Sequence, residues 1–104
     1  MIYVASPYSN GDRQQNFEMV EAYVAEQAKL GICIYSPIVH FRALAEKYNL
    51  PTDFDFWKNH CLNALDACCE MHILMLPGWE TSVGIANEIL HCRETNKTIK
   101  KVTL

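Results

Sequence analysis

No two of the five cysteines stand in a CxxC spacing, and five is an odd number. A disulfide framework is therefore not expected, and Cys33, Cys61, Cys68, Cys69 and Cys92 read as free thiols. His60-Cys61 and His91-Cys92 lack further ligands at zinc-site spacing, so neither a metal nor any other cofactor is expected. Positive charge is scarce too: nine Lys and Arg stand against twelve Asp and Glu, a formal net charge of −3. That balance excludes a nucleic-acid polymer as the expected partner, while one small anion would need only a few local donors. Lys97, Lys100 and Lys101 form the one basic cluster and read as a solvated edge. No apolar stretch reaches the length of a membrane span, and the opening run does not resemble a signal peptide. The expectation is a cytoplasmic protein without membrane contact.

What is present is a globular composition, half hydrophobic and one-fifth charged, over 104 residues. Those figures predict one domain over 1–104. Short apolar runs at 2–5, 32–35, 71–76 and 98–102 read as strands. Helical spacing is expected over 14–30 (Phe17, Val20, Val24, Ala28), with Gly31 as the residue that ends it. Further helices are expected over 39–48, through Trp57 to about residue 67 after a loop at 51–55, and over 83–93. Thr52 or Asp53 is the candidate cap of the third. Strand and helix alternate, which predicts an α/β fold, a small flavodoxin- or Rossmann-like three-layer sandwich. Its parallel sheet of about four strands takes the order 2-1-3-4. The loops after the first and third strands would then face each other across the switch point.

The segment LPGWETSVGIANE at 76–88 is the most informative. A strand stops at Pro77-Gly78, a polar loop holds Trp79 and Ser82, and Gly84 opens a helix that carries Glu88. Free N–H groups at a helix start attract anions, and Ser82 adds a hydroxyl donor. Equally, Ser82 fits a plain N-cap and Glu88 a surface acid favouring the helix dipole. Gly84 has no Cβ to hold a ligand away. In the first loop, Ser6, Tyr8, Ser9 and Asn10 are candidate ligand contacts, Tyr8 as a stacking platform or an exposed loop residue. His40, beyond the second strand, is read either as a proton donor facing the crevice or as a structural histidine. Trp79 is placed to cover the crevice or an interface, and Phe56-Trp57 reads as core or subunit contact.

Four stretches, YVASPYS at 3–9, YSPIVH at 35–40, Phe56-Trp57 and LPGWETSVGIANE, resemble the nucleoside 2-deoxyribosyltransferase-like superfamily. The closer likeness is to its small, often phage- or prophage-encoded members of unassigned function. The resemblance implies chemistry at the N-glycosidic bond of a deoxynucleoside or its 5′-monophosphate, with Glu88 as the helix-borne carboxylate that attacks or stabilises the anomeric carbon. Transferases of the family carry an aspartate where this chain has Ser82. Relatives that hydrolyse nucleoside monophosphates carry serine there, in the same S-x-G-x-x-x-E spacing, and use it on the phosphate. One departure stands out: the family's helix aspartate falls at 61–62 here, where the chain has Cys61-Leu62. Asp66 or Asp55 would fill that role only in a shifted register. The alternative is therefore a catalytically inactive binder that sequesters a nucleotide-derived signal of cyclic or ADP-ribose type, in a phage anti-defence role. By the same resemblance a homo-oligomer is expected, with the helices bearing Phe17 or Trp57 as interface candidates.

Overall fold

The computed structural model describes residues 1–8 and 12–104. Four strands form one parallel sheet in the order β2-β1-β3-β4: β1 (Ile2–Ala5), β2 (Ile34–Tyr35), β3 (Glu70–Leu74) and β4 (Thr98–Val102). β1 pairs with β3 over its whole length, Tyr3 opposite Met71 and Ala5 opposite Ile73. The two central strands are buried on both faces, which is why they read as largely apolar runs, with His72 the polar residue buried within β3. Tyr3, Ala5, Met71 and Ile73 pack on Phe41, Trp57, Leu65, Ile85 and Cys92. Val4 and Leu74 point the other way, into a smaller core with Val20, Tyr23 and Leu76. Helices thus cover both faces, the three-layer arrangement the alternation predicts.

Each helix begins where a short polar side chain can accept from its first turn. Asp12 caps α1 (Arg13–Lys29) by accepting from the Gln15 N–H at 3.0 Å. Gly31 ends that helix with φ +78°, a conformation costly for residues bearing a Cβ. Ser36 caps α2 (Pro37–Tyr48) through the Val39 N–H. The helix therefore starts two residues ahead of the expected 39. Ser36-Pro37 reads as a break in sequence, but proline at the first helical position loses no hydrogen bond, and its fixed φ suits the helix. Asp53 caps α3 (Phe54–Asp66), accepting from the Phe56 N–H at 3.2 Å. Ser82 caps α4 (Val83–Glu94) through the Ile85 N–H at 3.3 Å. β2 is two residues long, shorter than the expected 32–35.

Candidate functional site

The loops after β1 and β3 meet at the carboxyl edge of the sheet and open onto a cavity of about 330 Å³. Ser6 and Tyr8 come from the first loop, Ser82 and Gly84 from the start of α4, and Glu88 from one turn further in. The opposite wall is Phe41 of α2 and Phe54, Asp55, Trp57 and Cys61 of α3. This is the crevice at the switch point of a 2-1-3-4 sheet, where strand ends and helix starts leave room for a ligand.

Glu88 is 5% exposed and accepts a hydrogen bond from the Tyr3 hydroxyl through Oε2. Burial disfavours its charged form and pushes the carboxyl up to about 8, with the Tyr3 bond pulling the other way. Burial, with the Glu88 charge added, raises the Tyr3 hydroxyl far above the ordinary tyrosine range. Cys61 faces the same group, and burial and Glu88 push its thiol up to about 12. The three side chains come from β1, α3 and α4, so the sheet's centre and both flanking helices fix one carboxyl group.

Two serines offer donors. The Ser82 oxygen accepts the capping bond from Ile85, yet its O–H stays available because a hydroxyl donates as well as accepts. The capping reading and the ligand reading of Ser82 are therefore compatible. Ser6 is 9% exposed, and among the described residues its Oγ has no hydrogen-bond partner. A buried hydroxyl left unpaired costs roughly 1–3 kcal/mol, which a polar atom of a ligand or a water would recover. Tyr8 packs edge-on against Phe41 at 5.8 Å, and the Arg13 guanidinium lies over its ring at 5.1 Å. Phe41 in turn stacks on Trp57 at 4.2 Å and 17°, and the Trp57 indole N–H donates to the Pro51 carbonyl at 2.7 Å. These contacts hold a rigid aromatic wall.

Several expected residues stand elsewhere or act differently. Gly84 is on the wall, but a Cβ there would meet the Phe54 ring at 3.1 Å, so its bare backbone makes room for Phe54. His40 lies in the first turn of α2 and lines a second cleft with Tyr35, Phe56 and His60, because the helix begins earlier than expected. Trp79 sits in a single 3-10 turn, Trp79–Thr81, under the Lys101 ammonium at 5.5 Å, and is not among the residues lining the cavity. Ser9 and Asn10 lie outside the described residues. Asp66 pairs with His91 at 2.6 Å, and neither lines the cavity. Cys61, at the position where an aspartate was sought, does line it.

Thr52, Asp53, Phe54 and Asp55 were not foreseen as a wall of the site. The sequence carried a usable signal: with Asp53 as N-cap, Asp55 falls in the first turn of α3 and not in the preceding loop. The acid that a shifted register would require is thus on the cavity wall. Among the described residues, no group of three or more His, Cys, Asp or Glu is placed to hold a metal ion. No described helix is long and apolar enough to cross a membrane.

No curated protein matches the chain. A family model described as a domain of unknown function, DUF1937, matches residues 1–103, and the chain belongs to that family.

Proposed function

We propose that this protein binds a nucleoside or nucleotide and cleaves or transfers at its N-glycosidic bond. The observation that carries the reading is Glu88, a buried carboxyl group held by Tyr3 on the wall of a cavity at the sheet's switch point. The likeness of LPGWETSVGIANE to the nucleoside 2-deoxyribosyltransferase-like superfamily supports it from the sequence side. In this reading the Glu88 carboxylate bonds to the anomeric carbon as the bond to the base breaks. The electron pair leaves with the base, and water or a second base then displaces Glu88. Asp55 is the further wall carboxyl able to exchange a proton with a departing base. Phe41, Trp57 and Tyr8 offer aromatic surface for the base, and the Ser6 and Ser82 hydroxyls offer donors to the sugar or a 5′-phosphate. The site is expected to work in a homo-oligomer within the cytoplasm.

A second reading keeps the cavity and drops the turnover: a binder that sequesters a nucleotide-derived signal. It is favoured by Cys61 in place of a carboxyl group and by the raised affinity of Glu88 for its proton. Incubation with deoxynucleoside monophosphates, nucleosides and dinucleotides, followed by chromatography of supernatant and heat-denatured protein, separates the two. Free base released by the native chain and not by Glu88→Gln supports glycosidic chemistry. Recovery of one intact compound from the denatured fraction supports sequestration, and no release or binding across the panel sinks both.

A further inference from the structure

The ionisable side chains around the cavity are acids. Among the described residues on its wall, Asp53, Asp55 and Glu88 bear carboxyl groups, and no Lys, Arg or His is present. Residues 9–11, outside that description, are Ser, Asn and Gly and add no charge. Arg13 lies over the Tyr8 ring without lining the cavity, and Arg42 lies over Phe17, paired with Glu46 at 3.0 Å. A phosphate dianion would enter against Asp53 and Asp55, with hydroxyls and the starts of α2, α3 and α4 to receive it but no cationic side chain on the described wall. Phosphate sites ordinarily supply Arg or Lys as well. Four aromatic side chains, Tyr8, Phe41, Phe54 and Trp57, share the wall with aliphatic and hydroxyl-bearing residues. Ring faces attract cations, as carboxylates do. The unpartnered, nine-tenths buried Ser6 hydroxyl on the same wall is an independent mark that a polar ligand atom belongs there.

Resting on the glycosidic reading above, we propose that the substrate is a nucleoside without a 5′-phosphate whose base is a positively charged, N-alkylated heteroaromatic ring. Such a base stacks on the aromatic wall while Asp53 and Asp55 balance its charge. When its bond to the sugar breaks, the electron pair neutralises the ring, so the base departs without needing a proton. Glu88 takes the sugar as an ester. Water then displaces Glu88, its hydroxyl staying on the sugar and its proton passing to solvent. No general acid is required, which suits a site with Cys61 where relatives place an aspartate.

Titration calorimetry on the full chain carrying Glu88→Gln, near neutral pH, tests this with matched ligands. Nicotinamide riboside and its dihydro form differ in ring charge, and nicotinamide mononucleotide adds the 5′-phosphate. The cationic riboside should bind at least about fivefold tighter than the neutral one, the size expected of a single partly exposed charge interaction. It should also bind more tightly than the mononucleotide, and a further Asp55→Asn change should shrink the cation preference. Equal or tighter binding of the dihydro form, or of the mononucleotide, would overturn the inference. So would tighter binding of 2′-deoxyguanosine 5′-monophosphate than of 2′-deoxyguanosine, a result that leaves the glycosidic reading standing. Absence of binding by every nucleoside and nucleotide would remove both.

Discussion

The Tyr3 hydroxyl donates to Oε2 of Glu88 across 85 positions of sequence, joining the central strand β1 to the helix that opens the site. The bond stabilises the ionised carboxylate and so partly offsets what burial does to it. Tyr3→Phe should raise the Glu88 value above about 8 and move the acid-side, rising limb of any pH–rate profile to higher pH. It should also cost roughly 1–3 kcal/mol in urea unfolding, because a buried carboxyl group loses its partner. An unmoved pH profile would mean that Tyr3 is only a packing residue.

Glu88→Gln keeps the shape of the side chain and an acceptor for Tyr3, but removes the proposed nucleophile. Base release should fall by about three orders of magnitude or more, the usual size for losing a covalent catalyst. Calorimetry on the same variant should return ligand affinity within about tenfold of the native chain. Retained turnover would assign the chemistry to another group.

Stability should carry the signature of Glu88 as well. Its folded value is raised from 4.5 to about 8, so the folded chain holds a proton that the unfolded chain releases in that window. The resulting stabilisation is fully present below pH 4.5 and is lost as pH rises through about 8. Urea midpoints across this range should therefore decline more steeply for the native chain than for Glu88→Gln. Parallel declines would show that the carboxyl is solvated.

The sheet was legible because its signals are local and redundant. Strand β1 is an unbroken apolar run, β3 is apolar but for Glu70 and His72, and turn residues separate most elements. Their order follows from the strand-and-helix alternation. That Ser6, Tyr8 and Ser82 face one crevice was legible because they follow strand ends or open a helix, and Glu88 follows one turn into α4. Asp55 was not, since its position depends on whether Thr52 or Asp53 caps α3, a choice settled by hydrogen-bond geometry. His40 was displaced for a similar reason: Pro37 looks like a stop and in fact starts a helix. Tyr3 gave no sign of its role, because a strand tyrosine among apolar neighbours reads as core until its hydroxyl's partner is known.

Gly84→Ala puts helix propensity against space. Alanine suits the first turn of α4 better than glycine, by less than the roughly 1 kcal/mol of a helix interior, whereas the new methyl must displace the Phe54 ring. Unfolding free energy should change by less than about 1 kcal/mol as these effects offset. Ligand affinity should drop, since Phe54 is part of the cavity wall. Unchanged affinity would detach Phe54 from the site.

Asp53→Ala should destabilise the chain by about 1 kcal/mol through the lost cap, and Asp53→Asn should restore most of it. Equal unfolding midpoints for the two variants would show that the cap contributes nothing measurable.

The placement of β1 between β2 and β3 has a consequence for synthesis on the ribosome. Of the four strands, β1 is made before both of its neighbours, with its β3 neighbour supplied by residues 70–74 and the carboxyl group its tyrosine holds supplied by residue 88. A nascent chain must therefore keep this apolar strand unpaired on one side until residues 70–74 have emerged, and non-local pairings of this kind form late. The cavity takes its wall from Val4 through Glu88, so it cannot form before residue 88 has been made.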